Sequence, residues 1–179
     1  MQRSLPLWVG ALFSLLSHAA LAVQGDEAPF VTTPLNAVKR MLTLAGTGPD
    51  DVVYDLGSGD GRIVIAAARD FGAQGVGVEI DPGLIKISKF NARKEGVAEQ
   101  TRFLHADLFD MDYSAATVVT MFLRDDVNMR LQPRLWKQLK PGSKVVTYRY
   151  GMGDLVPVHD EMLDGERIRL WVVPAQSGE

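Results

Sequence analysis

The apolar run Val52-Val53-Tyr54-Asp55-Leu56 passes without interruption into Gly57-Ser58-Gly59-Asp60-Gly61-Arg62, and then into Ile63-Val64-Ile65. A short buried strand, a glycine-rich turn and a helix, in that order, form the opening unit of an open α/β sheet. Alternate glycines let the turn be tight and let its backbone approach a ligand closely. In such sheets the ligand lies outside the carboxyl ends of the strands. This one segment therefore restricts both the fold and the place of its site.

The flanking sequence agrees. Residues 30–45 read as a leading loop and a helix, in which Leu35, Val38, Met41, Leu42 and Ala45 recur at helical spacing until Gly46. After the strand at 52–56 come a helix at 62–71, a strand at 75–80, a helix at 82–94 and strands at 102–105 and 117–123. Asp81-Pro82 is a helix start, with the acid as cap and the proline in the first turn. Asp125 or Asp126 is expected to cap a helical stretch reaching residue 139, in which Pro133 predicts a kink or two short helices. A strand at 144–150 follows, and residues 155–162 and 167–173 flank Asp164-Gly165, a hairpin signal. The expected fold class is α/β: a doubly wound, mostly parallel, seven-stranded sheet with a C-terminal antiparallel hairpin. Residues 51–174 make up the ligand-binding domain and residues 23–50 a leading segment and helix. No linker or added substrate domain divides them.

Glycines alone do not name the ligand. The dinucleotide fingerprint wants a small residue at position 62, where Arg62 stands. Asp55 ends the first strand and Asp60 lies within the turn, where a pyrophosphate would otherwise rest on helix-terminal N–H groups. Acids there oppose a polyanion and suit a cation. S-adenosylmethionine carries an ammonium and a sulfonium and no phosphate, so charge favours it over NAD, FAD or ATP. Glu79 ends the second strand, where a carboxylate can accept ribose hydroxyls. Asp107 follows the third strand and can accept an adenine amino group, or serve as a turn residue.

Asp55-x-Gly57-x-Gly59-x-Gly61, Glu79 and Asp107, in this order, resemble the class I S-adenosylmethionine-dependent methyltransferases over residues 51–173. The resemblance implies a Rossmann-like methyltransferase fold. It also implies that Asp55, Gly57, Ser58, Gly59 and Gly61 receive the methionine end of the cofactor, Glu79 the ribose and Asp107 the adenine. The leading segment Pro29-Phe30-Val31-Thr32-Thr33-Pro34 together with residues 54–64 is similar to small protein-lysine methyltransferases and their bacterial relatives, in which this segment packs near the cofactor.

The fourth strand ends Thr120-Met121-Phe122-Leu123-Arg124-Asp125-Asp126 and lacks the Asn/Asp-Pro-Pro-aromatic turn of enzymes that methylate DNA bases. A protein side chain is the expected acceptor class. A small-molecule methyltransferase and a non-catalytic cofactor-binding protein stand as rivals. Phe122, Tyr148 and Tyr150 are candidates for lining an acceptor slot or for ordinary strand packing, and His105 for a base or for core packing. No catalytic residue is assigned.

Arg3, an apolar run over residues 5–16 and Ala20-Leu21-Ala22 have the form of a secretory signal ending at residue 22. Export to the periplasm or exterior is thus expected, with an uncleaved membrane anchor as the alternative. The formal net charge of -3 and the lack of a long basic run point away from nucleic acid. With no cysteine and three scattered histidines, His18, His105 and His159, no metal site is expected.

Overall fold

The computed structural model describes residues 31–175. The expected signal segment and residues 29 and 30 lie outside them. The first helix, α1, is Leu35–Leu44, and its buried face is Ala37, Val38, Met41 and Leu42. Then follow β1 (Val52–Leu56), α2 (Arg62–Phe71), β2 (Gln74–Glu79), α3 (Pro82–Lys94), β3 (Thr101–His105), β4 (Val118–Met121), α4 (Asp125–Gln138), β5 (Lys144–Tyr148), β6 (His159–Leu163) and β7 (Glu166–Val172). A short 3₁₀ turn at Ala98–Gln100 precedes β3.

One seven-stranded sheet has the order β3-β2-β1-β4-β5-β7-β6. The first five strands are parallel, while β7 runs antiparallel to β5 and to β6. The hairpin turns at Asp164 (φ 51°) and Gly165 (φ 85°), the two positive-φ positions that its two-residue turn requires. The chain order reverses between β1 and β4, which fixes the ligand crevice at the end of β1.

The two faces of the sheet are covered unequally. Val53, Val118, Val146, Tyr148, Ile168 and Leu170 point to the side packed by α1 and α2. Alternate residues of the same strands, with Leu56, Val119, Met121 and Val145 among them, pack on Leu131, Leu135 and Leu139 at α4 and on Tyr113 and Ala116. Beyond Asp107, a segment without regular structure fills this second face, with Tyr113 fully buried and its hydroxyl donating to the Leu108 carbonyl.

Of the two alternatives at Pro133, the pair of short helices is corrected: α4 is one continuous helix. Proline at that position removes the N–H that would bond the Met129 carbonyl, and both residues are exposed, so that carbonyl is on the solvent side of the helix rather than in the core. Nor do Asp125 and Asp126 cap it. The cap position is Arg124, and Asp125 instead accepts from the Gly151 N–H at 2.7 Å. Asn128, fully buried, donates to the Leu123 and Gly151 carbonyls at 3.0 and 2.9 Å. Asp125 and Asn128 thereby tie α4 to the loop after β5.

Candidate functional site

The turn after β1 adopts positive φ at Gly57 (76°), Gly59 (54°) and Gly61 (81°). Its backbone donors are nearly all used internally. The Gly57 and Ser58 N–H groups donate to the Val78 carbonyl, Gly59 to the Glu79 carboxylate, Gly61 to the Ser58 carbonyl, and Arg62 to Asp60. A phosphate-binding turn directs such donors at its ligand. This turn withholds five of the six N–H groups from Gly57 to Arg62, which argues against a phosphate ligand on grounds independent of charge.

Asp60 does not face the ligand as a bare acid. Its carboxylate meets the Arg62 guanidinium at 2.6 Å. Partial burial opposes its ionisation, but the hydrogen bond and charge of Arg62 outweigh that and lower its pKa. Arg62 also donates to the Thr33 carbonyl at 2.9 Å, and Thr33 is buried. Arg62 thus clasps the leading segment against the glycine turn. Arg62→Ala is expected to destabilise the fold by about 1 kcal/mol through the unpaired, partly buried Asp60. It should also speed amide exchange in residues 31–36, which hydrogen-exchange mass spectrometry would read.

Asp55 carries the remaining charge. It is 3% exposed and accepts from the Thr120 hydroxyl, one strand away in register, at 2.8 Å. Burial raises its pKa to about 7; the Thr120 hydrogen bond opposes the rise, and the charges of Glu79 and Asp60 add to it. A carboxyl in this state is a poised acceptor for a cation, because an ammonium beside it would restore its charge.

Glu79, also buried, accepts from three backbone donors: Ile80 and Asp81 at Oε1 (2.8 and 2.9 Å) and Gly59 at Oε2 (2.9 Å). One of its four lone-pair sites stays open, on Oε2. It therefore has room for one ribose hydroxyl unless a backbone bond is exchanged. Asp107 is exposed and serves as a turn residue: Oδ1 accepts from Phe109 N–H at 2.8 Å, leaving Oδ2 for another donor. The loops after β2 and β3 are tied by the Ala106 N–H, which donates to the Glu79 carbonyl at 3.0 Å.

Ser58 is placed differently from its neighbours. Its hydroxyl is buried without a partner, and a Cβ on Gly77 would stand 2.6 Å from it. The side chain thus packs across β2 rather than toward the strand ends. His105 does not pack in the core. It is exposed at the end of β3 with Nε2 3.0 Å from the Ile80 carbonyl. Ile80, 65% exposed directly after Glu79, is an apolar surface at the cleft rim that sequence reasoning did not single out.

On the same face of the sheet as Asp55 and Thr120, Phe122, Tyr148 and Tyr150 come together. Phe122 meets Tyr148 edge-on, with centroids 5.0 Å apart, and stacks on Tyr150 at 6.0 Å. The Tyr150 N–H donates to the Tyr148 carbonyl at 2.8 Å, closing a γ-turn centred on Arg149 at φ 68°. Such a turn is strained for a residue with a side chain. It is held by the buried Thr147 hydroxyl, which donates to the Tyr150 carbonyl, and by the Arg149 N–H, which donates to Arg167. Strand packing is therefore present at Tyr148, which belongs to the core, while Tyr150 is folded back over Phe122.

A sheet of this order, with a cation-accepting and phosphate-averse turn at its switch point, defines a class I S-adenosylmethionine-dependent methyltransferase. The chain belongs to the ANTKMT methyltransferase domain family, whose profile matches residues 55–159. It is 48% identical over 125 residues to the protein-lysine N-methyltransferase of Saccharolobus islandicus (strain REY15A), across 69% of this chain and 78% of that protein. The adenine nucleotide translocase lysine N-methyltransferase of Mus musculus is 30% identical over 132 residues, across 74% of this chain and 57% of that one. A solved structure described as an RNA methyltransferase from Salinibacter ruber, in complex with S-adenosyl-L-homocysteine, is similar with a TM-score of 0.81 at 49% identity, across 83% of this chain and 97% of that one. S-adenosylhomocysteine is the demethylated form of S-adenosylmethionine, which is therefore the cofactor.

Proposed function

We propose that this enzyme transfers the cofactor methyl group to a lysine side chain of a protein. The aromatic cluster of Phe122, Tyr148 and Tyr150 carries this reading, and the lysine methyltransferases among its relatives support it. In the proposed arrangement Asp55 takes the cofactor ammonium, Gly57, Gly59 and Gly61 let the backbone pass close to the methionine end, Glu79 takes a ribose hydroxyl and Asp107 Oδ2 the adenine amino group. Bound there, the cofactor supplies an activated methyl group and its own leaving group.

The chain's remaining task is to align and desolvate the acceptor. Aromatic faces attract an ammonium, and an apolar slot then favours its neutral form, which is the nucleophile. Burial, with the Glu166 charge adding, raises the Tyr148 pKa, so its hydroxyl stays protonated and adds no anion that would hold the lysine charged. The proton leaves with solvent before the acceptor seats, and no dedicated base is required.

Methyl-labelled cofactor, the full chain and an extract provide the test. Label recovered as methyl-lysine after complete hydrolysis of protein supports the proposal. Label confined to RNA, the acceptor class of the Salinibacter ruber relative, or to small molecules refutes it. Tyr150→Ala is expected to lower kcat roughly 10- to 100-fold by loosening acceptor alignment, with cofactor affinity little changed. Equal losses in cofactor affinity would place Tyr150 in the cofactor site instead. Export through residues 1–22 is a separate proposal, and N-terminal sequencing of the cell-derived protein tests it.

A further inference from the structure

Helix α3, Pro82-Gly-Leu-Ile-Lys-Ile-Ser-Lys-Phe-Asn-Ala-Arg-Lys94, holds four basic residues and no acidic one, in a chain whose net charge is -3. Its buried stripe is Ile85, Ser88 and Ala92. On the outward side stands Phe90, 61% exposed. Residues three and four positions away are neighbours on a helix surface. For Phe90 these are Ile87, itself 48% exposed, and Lys86, Arg93 and Lys94. Among the described residues, Lys86, Lys89, Arg93, Lys94 and Arg102 form no ion pair. Lys89, Arg93 and Arg102 line a cavity of about 480 Å³ between α3 and the edge strand β3, with Glu99 as its only acid.

The apolar side chains of this face are exposed to water, and the face has no partner among the described residues. Exposed cations around an aromatic and an aliphatic side chain suit a surface that is anionic outside and apolar just beneath. We propose that this face of α3 docks on an anionic phospholipid bilayer, with Phe90 and Ile87 entering the headgroup boundary and Lys86, Lys89, Arg93 and Lys94 meeting lipid phosphates. A phosphate backbone alone, as in RNA, would reward the cations but not the aliphatic Ile87. The helix starts three residues after Glu79, so docking holds the rim of the cofactor cleft, with Ile80, beside the membrane. This inference does not depend on the identity of the methyl acceptor.

Co-sedimentation of the full chain with phosphatidylcholine vesicles, with and without phosphatidylglycerol, tests it. Binding is expected to require the anionic lipid and to weaken with salt. Each cation near such a surface contributes about fivefold, so Lys86→Glu combined with Lys94→Glu should reduce binding at least about tenfold. Phe90→Ser should reduce it by roughly tenfold. The control pair Lys137→Glu with Lys140→Glu, exposed at the end of α4, should bind as the wild type does. All of these variants should keep wild-type cofactor affinity. Equal binding to both vesicle types, or equal binding by α3 and α4 variants, would overturn the proposal. Wild-type binding to a single-stranded RNA oligonucleotide that is lost in the α3 variants, without vesicle binding, would reassign the face to nucleic acid.

Discussion

Asp55→Asn is expected to lose at least about a hundredfold in affinity for S-adenosylmethionine at pH 8 and, in the same conditions, to be more stable than the wild type. Both effects follow from one buried carboxyl. Without its anion, a cationic ammonium in the cleft loses its charge partner, a loss worth several kcal/mol when desolvated. The stability effect has the opposite sign. The folded-state pKa is about 7 against an ordinary value of 3.8. The folded protein therefore holds this proton more tightly than the unfolded chain. That stabilising contribution is complete below pH about 4 and is lost as pH rises through about 7. At pH 8 the difference amounts to roughly 4 kcal/mol. The amide carries no charge to desolvate and keeps an oxygen for the Thr120 hydroxyl. Urea unfolding should thus find the variant ahead at pH 8 and level with the wild type near pH 4. The same linkage makes cofactor binding by the wild type release a proton at pH 6, and its affinity climb with pH until about 7. Calorimetry in buffers of different ionisation enthalpy reads that proton. A pH-independent affinity, or a variant that binds normally, would remove Asp55 from the cofactor site.

The parts of the fold that were legible in the sequence were those with a local cause. Residues 52–56 and 62–71 were bounded correctly, because an apolar run stops at glycine and restarts beyond it. Asp164-Gly165 marked its hairpin, because few other pairs accept two successive positive φ values. The expected strand from residue 155 begins only at His159, although the Val158 N–H already donates to Leu170. What failed depended on partners distant in the chain. Asp60 looked like ligand-facing charge, because nothing in Asp60-Gly61-Arg62 announces that the arginine folds back on it and on Thr33, 29 residues earlier. Asp125 looked like a helix cap, yet its acceptor capacity goes to Gly151. The aromatic cluster was half legible: Phe122, Tyr148 and Tyr150 were candidates, but their convergence depends on Arg149 at positive φ, which no propensity favours.

The glycine turn was legible for another reason as well, and it leads to the largest expected effect on folding. Gly61 was read as a position that keeps the loop tight. The structure gives it two separate constraints. Its φ is 81°, a region that costs a residue with a Cβ about 1–2 kcal/mol and a β-branched one more. A Cβ there would also stand 2.7 Å from Phe103 Cε1 and 2.8 Å from Ser88 Cβ. Both neighbours are buried, Phe103 in the cluster formed by α2, α3 and β3, so neither can retreat into solvent. Crowding a packed core of this kind costs a further 1–3 kcal/mol or so. Gly61→Val should therefore destabilise the protein by about 3–5 kcal/mol, much of the stability of an ordinary domain. The two constraints can be separated. Gly46 has φ 65° but no atom within 4 Å of its would-be Cβ, so Gly46→Ala should show the conformational cost alone, about 1 kcal/mol. Gly61→Ala should cost more than that, and Phe103→Leu in the same chain should recover part of the excess, because it withdraws the ring edge that the new methyl group meets. If Gly61→Ala and Gly46→Ala prove equal in urea unfolding, crowding at Phe103 is not what requires glycine at this corner, and the constraint comes from backbone conformation alone.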